Sequence, residues 1–287
     1  MNRDFNNQII QGNTLDVLKT MPDNMVDMGA TSPPYNKKEK NKGWLVDKVI
    51  YENFIDKVSE SEYQQNQIDV LNEIYRITKD GGCFFYNHKL RWDRGDMSHP
   101  MDWLRKTKWH IRQEIIWDRM IAANIRGWRF WQVEERIYWL HKPDNKNKIG
   151  VELKSAHALQ TSIWRFAPER NNPHPAPYPL ELPTRAIYAI MDNKKDGLIL
   201  DPYMGSGTTA VAAKLLGHNY LGIEASEEYI KMAQDRIDNS DSEIKNFNQE
   251  MEKHKVRKTF KQRKDEKKFT GRFKSNQKPQ LKISELF

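Results

Sequence analysis

The chain has 287 residues, of which 38% are hydrophobic and 30% charged; its formal net charge is +8 and it has one cysteine, Cys83. That length suits one large domain or two small ones. The single cysteine excludes an internal disulfide framework and a multi-cysteine metal site, and no apolar run reaches the roughly 20 residues that cross a bilayer.

The first residues, MNRDFNNQII, lack the apolar core of a signal peptide, so a soluble, cytoplasmic protein with no membrane partner is expected. QIIQGN (Gln8 to Asn13) reads as a strand and turn, and LDVLKTMP as a helix with Leu15, Leu18 and Met21 on one side, stopped at Pro22. MVDMGAT is a second strand and runs into TSPPYN, residues 31–36. Residues 37–53 are polar without a period and read as a mobile loop. The stretch 63–82 sets Ile68, Leu71, Ile74, Tyr75 and Ile77 on one helical face and closes on Gly81 and Gly82. CFFYN (Cys83 to Asn87), EIIWD (Glu114 to Asp118) and RIYWLHK (Arg136 to Lys142) read as strands. GLILDPY (Gly197 to Tyr203) is another, followed by a helix from Thr208 to Leu216 with Gly217 as its cap. NYLGIEA is a strand, and SEEYIKMAQDRI a helix opened by Ser226 with an acidic first turn. Alternating strands and helices predict an α/β fold with a mainly parallel sheet. Beyond Ser240 the chain carries 14 Lys/Arg against 7 Asp/Glu. Such a basic tail marks either an anionic partner, nucleic acid being the commonest, or a solvated end.

DPYMGSGTTAVAA, from Asp201, joins a strand to a helix. Gly205 and Gly207 permit a tight turn and close approach of a ligand, and the helix behind them offers free N–H groups. Glu224 ends the next strand, 17 residues beyond Gly207, where an acidic side chain accepts hydrogen bonds from ribose hydroxyls. Gly205-x-Gly207-x-x-Ala210 also fits a nicotinamide-dinucleotide fingerprint, but a carboxylate at Asp201 would oppose a pyrophosphate. No lysine follows the glycines as in a phosphate-binding loop. A ligand with positive charge, a ribose and no phosphate fits better, and S-adenosylmethionine (SAM) is one. The plain alternative is a strand–helix turn without a ligand.

TSPPYN holds a backbone still. Ser32 precedes a proline and is pushed to extended geometry, and Pro33 has a fixed φ. The Ser32 hydroxyl and the Pro33 carbonyl become two fixed acceptors, with Pro34 behind them and the flat ring of Tyr35 beside them. Such a pair can hold the hydrogens of an exocyclic amino group out of the ring plane and so localise its lone pair for attack on a methyl sulfonium. Tyr35 would stack on a base extruded from the helix. A rigid proline turn is the plain alternative for these residues taken alone.

Taken together, the motifs resemble the SAM-dependent DNA amino-methyltransferases that modify N4 of cytosine or N6 of adenine. TSPPY is similar to their catalytic motif, DPYMGSGTT to their SAM motif, and YLGIEASEEYIKMAQDRI to the acidic strand end and helix after it. HPAPYPLELPTRAI, from His174, is similar to the segment that precedes the SAM loop, and QGNTLDVLKTMPDNMVD to the lead-in of the catalytic motif. Asn13 stands where the family commonly has Asp. The catalytic motif comes first, the permuted order called beta. The resemblance implies a Rossmann-like α/β methyltransferase fold and a catalytic set of Ser32, Pro33, Pro34 and Tyr35. It implies a SAM site of Asn13, Thr31, His174, Asp201, Pro202, Gly205, Ser206, Gly207, Thr208 and Glu224, and no metal. It further implies duplex DNA as partner, a monomer or homodimer, and a cognate restriction endonuclease acting separately. Residues 1–238 would form the catalytic domain, with a target-recognition segment over roughly 88–170, and 239–287 the basic tail.

Seven of the nine tryptophans lie between Trp92 and Trp139, interleaved with Arg and Lys. Trp117 and Trp139, in strand-like runs, are expected in the core; Arg126, Trp128 and Arg129 are expected to contact DNA. Cys83 sits at a strand start, so a buried small residue is expected and a cysteine-based attack on cytosine C5 is disfavoured. Ser in the first position of the catalytic motif is typical of the N4-cytosine enzymes, Asp of the N6-adenine ones, which makes cytosine N4 the expected target and adenine N6 the alternative. Two readings of other kinds stay open: a SAM-holding DNA-binding module without catalysis, and methylation of RNA or of protein amides.

Overall fold

The computed structural model describes residues 4–36, 58–123, 125–144, 161–169, 178–191 and 194–254, with residues 262 and 265. The expectations for residues 37–53, for His174 and for almost all of the chain beyond His254 lie outside the described residues.

In chain order the elements are β1 (Gln8–Gln11), α1 (Thr14–Lys19), β2 (Val26–Thr31), α2 (Glu60–Ile77), β3 (Thr78–His88), β4 (Arg91–Asp93), β5 (Asp96–Ser98), α3 (Met101–Leu104), β6 (His110–Ala123), β7 (Gln132–His141) and β8 (Ile163–Arg165). They continue with α4 (Glu181–Met191), β9 (Leu198–Asp201), α5 (Thr208–Leu215), β10 (Asn219–Glu224), α6 (Glu227–Asp238) and α7 (Ile244–His254). Eight strands form one sheet in the order β1-β10-β9-β2-β3-β7-β6-β8. β1 to β3 through β10, β9 and β2 are parallel, β3, β7 and β6 pair antiparallel, and β8 returns parallel to β6. The sheet is mainly parallel, as the alternation of elements predicts.

Successive residues of β3 serve opposite faces, the ordinary consequence of the two-residue strand period. Cys83 and Phe85 pack towards α4 and α5 with Ile187 and Val211. Phe84 and Tyr86 pack towards α1, α2 and α3 with Leu18, Leu71 and Trp103. Trp117 and Trp139 are buried, as expected, and so are Trp103, Trp109 and Trp164.

Helix α2 ends at Ile77, five residues before the expected stop. Thr78 is already extended (φ −77°, ψ 137°), and its hydroxyl donates to the Ile74 carbonyl at 2.7 Å. The two glycines belong to β3. Val26 pairs with Thr78 but Met28 pairs with Cys83, so residues 79–82 bulge out of register. Gly81 makes the bend at φ +79°, and a Cβ on Gly82 would lie 2.8 Å from the Asp27 carbonyl. Likewise α1 stops at Lys19, leaving Met21 buried just outside it. The basic stretch after 239 begins with a packed helix: α7 lies on α4, where Arg185 Nε donates to Glu250 at 2.8 Å.

Parallel β10, β9 and β2 are neighbours and end on the same edge of the sheet. That edge, with the turn after β1, forms the crevice where ligands of open α/β sheets bind.

Candidate active site

At the end of β9, Asp201 is buried. Its carboxylate accepts from Thr31 Oγ1 at 2.6 Å, Thr209 Oγ1 at 2.7 Å, Tyr178 OH at 2.9 Å and the Tyr203 N–H at 3.1 Å. Burial raises its pKa against the pull of these donors. Its oxygens are thus occupied by the protein, and Asp201 braces the end of β2 against the glycine turn.

Gly207 caps α5 in the left-handed region at φ +79°, and an added Cβ would lie 3.0 Å from Cβ of Ala233 on α6. Both features call for glycine. Ser206 and Thr208 receive Arg236 Nη1, at 3.2 and 2.8 Å. Glu224, half-buried at the end of β10, accepts from the Gly205 N–H at 2.9 Å and from the Ala225 and Ser226 N–H groups at 2.9 and 3.0 Å. Burial shifts its pKa upward, moderated by those three donors. The β1–α1 turn closes on the same place: Gly12 N–H meets the Glu224 carbonyl at 3.0 Å and Thr14 Oγ1 donates to the Pro202 carbonyl at 2.8 Å. Asn13 caps α1, accepting from Leu15 and Asp16 N–H at 3.0 and 3.4 Å. The fold therefore gathers Asn13, Thr31, Asp201, Pro202, Gly205, Ser206, Gly207, Thr208 and Glu224 at one edge.

The proline loop leaves β2 one strand away. Tyr63 OH donates to the Pro34 carbonyl at 2.8 Å and lies 2.8 Å from His88 Nε2. Asn36 closes the loop on Val58 by two hydrogen bonds, of 3.1 and 3.2 Å. The Tyr35 ring lies against His88, centroids 4.5 Å apart, and burial keeps His88 neutral by holding its pKa well down. Ser32 Oγ is 2.6 Å from Tyr35 OH. From there a chain of polar groups runs inward: Tyr35 OH donates to Glu135 Oε2 at 3.0 Å, and Asn87 Nδ2 reaches Tyr35 OH at 2.9 Å and Glu135 Oε2 at 2.8 Å. Arg119 Nη1 holds the other Glu135 oxygen at 3.1 Å.

Sequence reasoning assigned no role to Tyr63, Asn87, His88, Arg119 or Glu135. The one local signal was a pair of carboxylates, Glu134 and Glu135, just ahead of the strand-like run RIYWLHK. Arg126, Trp128 and Arg129 sit at the turn joining β6 to β7. Trp128 is 57% exposed and Phe130 99%, and Arg129 lies over Trp92 at 4.0 Å. Cys83 is fully buried, and burial pushes its thiol up to about 12. It is a core residue rather than a nucleophile.

The fold is the Rossmann-like α/β fold of the DNA methyltransferases. The cytosine-N4-specific PvuII DNA methyltransferase superposes with a TM-score of 0.64 at 16% identity, over 84% of this chain and 93% of that one. A Thermus thermophilus protein assigned as a DNA modification methylase gives 0.61 at 22% identity, over 81% and 95%. Residues 26–235 match the N6/N4 methyltransferase family, described as DNA methylase, and the chain belongs to that family. Its relatives include the type II methyltransferases M.ScaI of Streptomyces caespitosus, 25% identical over 80% of this chain and 81% of its own, and M2.MboI of Moraxella bovis, 28% identical over 87% and 94%.

Proposed function

We propose that the protein transfers a methyl group from SAM to N4 of a cytosine extruded from duplex DNA, as the modification enzyme of a type II restriction-modification system whose endonuclease acts separately. The observation that carries this reading is the Ser32 hydroxyl, held just past β2 by Tyr35 OH at 2.6 Å and Asn87 Nδ2 at 3.3 Å, next in the chain to Thr31, whose hydroxyl joins Asp201 and the glycine turn. The type II names of the relatives support the biological setting.

The residues at the sheet edge fit SAM. A half-buried carboxylate at Glu224 stands ready for ribose hydroxyls, the Gly205–Gly207 turn allows close backbone approach, and no lysine awaits a phosphate. The structure of the Thermus thermophilus protein with SAM bound supports that choice of ligand. When bound, SAM supplies an electrophilic methyl group on a sulfonium. Ser32 Oγ and the Pro33 carbonyl then accept from the amino group, and the nitrogen lone pair turns out of conjugation towards the methyl carbon. The C–N bond forms as the C–S bond breaks, the electron pair passes to sulfur, and the nitrogen sheds one proton. Arg126, Trp128 and Arg129 contact the DNA, and the basic chain beyond His254 adds phosphate contacts that position without specifying.

Glu224→Ala is expected to weaken SAM binding by about 1–3 kcal/mol, because hydroxyls and the Gly205 N–H both lose an acceptor. Calorimetry giving unchanged affinity would remove Glu224 from the site. The target base is decided by mass spectrometry of nucleosides from DNA treated with the protein and SAM. N4-methylcytosine is expected; N6-methyladenine alone would overturn the base assignment and leave the amino-group chemistry standing, and binding of SAM and DNA with no methylated base would overturn catalysis.

A further inference from the structure

We infer that Glu135 is a positioning residue that sets the direction of the hydrogen-bond chain at Ser32 and takes up, through Tyr35, the proton that the target amino group sheds; this rests on the amino-methyltransferase reading above. Glu135 lies on β7, 100 residues from Tyr35 in sequence and 7% exposed. Nothing in the packing of a strand asks for a carboxylate there, and a buried charge is costly unless paired. The groups that face it come from three other elements: Arg119 from β6, Asn87 from β3, and Tyr35 from the loop after β2. His88 and Lys89 flank the Tyr35 ring, with Lys89 Nζ 5.5 Å from its centroid. Asn87 keeps its NH₂ on this chain at a cost, since its own carbonyl oxygen is buried without a partner among the described residues. A buried polar atom of this kind calls for an explanation, and a role at the reacting centre is one.

A serine hydroxyl can donate or accept, and only an accepting Ser32 can draw the hydrogens of an amino group. Each hydroxyl in the chain has one proton. Glu135 is an acceptor only, so the Tyr35 O–H points at Oε2, at 3.0 Å. The Tyr35 oxygen is then an acceptor, and the 2.6 Å contact must carry the Ser32 proton. Asn87 Nδ2 also donates to Ser32 Oγ, at 3.3 Å, which leaves one Ser32 lone pair for the substrate. Burial and the Glu135 charge both hold the Tyr35 ionisation well above its ordinary range, so the chain stays protonated in this sense. As the nitrogen sheds its proton to Ser32 Oγ, the Ser32 proton moves to the Tyr35 oxygen and the Tyr35 proton to Glu135. The positive charge lost by the sulfonium ends as a neutral Glu135 carboxyl, and the chain resets by release of that proton to solvent.

Four proteins test this: wild type, Glu135→Gln, Tyr35→Phe and the double variant, each measured for SAM affinity by calorimetry and for single-turnover methyl transfer at saturating SAM and DNA. Glu135→Gln is expected to slow transfer roughly tenfold to a hundredfold with SAM affinity unchanged, because a glutamine amide can donate and no longer dictates the chain direction. In the Tyr35→Phe background the same change should alter the rate by less than about twofold, because the link to Ser32 is already cut. A structural role would instead add in both backgrounds. Glu135→Gln at the wild-type rate, or an undiminished effect in the Tyr35→Phe background, overturns the assignment. If Glu135→Gln does not fold, Tyr35→Phe decides alone, since it keeps the Glu135–Arg119 pair; the wild-type rate there also overturns it. A wild-type protein that methylates neither cytosine nor adenine overturns the parent reading, whereas an active wild type beside an equally active Glu135→Gln overturns this one only.

Discussion

Ser32→Ala is expected to slow single-turnover methyl transfer roughly a hundredfold, with SAM affinity unchanged. The amino nitrogen of a nucleobase is a poor nucleophile while its lone pair is conjugated. An acceptor that strengthens its grip as the nitrogen rehybridises acts on the transition state more than on the bound substrate. Alanine leaves the Pro33 carbonyl but removes the hydroxyl, so the loss falls on the chemical step. The fold should survive: Tyr35 and Asn87 keep their bonds to Glu135, at 3.0 and 2.8 Å. The stability cost should stay at about 1–2 kcal/mol, that of the two hydrogen bonds lost to Tyr35 and Asn87. Rapid-quench kinetics of Ser32→Ala at the wild-type rate would take the proline loop out of the chemistry, whatever the target base.

The parts of the site that were legible in the sequence are those built from neighbours in the chain. TSPPYN and DPYMGSGTT each pair a strand end with residues of unusual backbone, and such local constraints are visible letter by letter. Their meeting at one edge follows from the parallel pairing of β2 with β9, because neighbouring parallel strands end together. What was not legible depends on pairing at long range. Asn87 lies beside the catalytic loop because β2 and β3 are parallel with Thr31 opposite Tyr86, and Glu135 arrives because β7 runs antiparallel to β3, with Asn87 opposite Ile137. No period in the sequence states that register. Asp201 illustrates a subtler limit. Its place at a strand end was plain, but which way the carboxylate faces depends on Thr31, Thr209 and Tyr178, two of them more than twenty residues away. Gly81 and Gly82 read as a helix stop and serve as a strand bulge, because glycine suits both, and only the partner strand distinguishes the two.

Helix α7 shows the same effect in the basic tail, where a charge-rich run hides a buried acid, and it gives the largest expected change in stability. Glu250→Ala should destabilise the protein by about 3–5 kcal/mol, the usual outcome when one partner of a buried ion pair is removed. The Arg185 side chain, 5% exposed on α4, stacks under Trp164 and Phe166 and would be left without its carboxylate at 2.7 Å. His254 Nε2, 2.9 Å from the same oxygen, would lose its partner as well. The pair also predicts an acid response. Burial alone would raise the Glu250 pKa, but His254, Arg185 and Lys253 overcome it and lower the value from 4.5 to about 2. A folded-state pKa below the unfolded one means that the unfolded chain binds the proton first. The stabilisation is therefore complete above pH 4.5 and fades as the pH falls towards 2, by about 3 kcal/mol at roughly 1.4 kcal/mol per unit. Urea unfolding across that window should show a steep loss for the wild type and a flatter one for Glu250→Gln. Parallel losses in the two proteins would mean that the Arg185–Glu250–His254 cluster does not anchor α7 to the core.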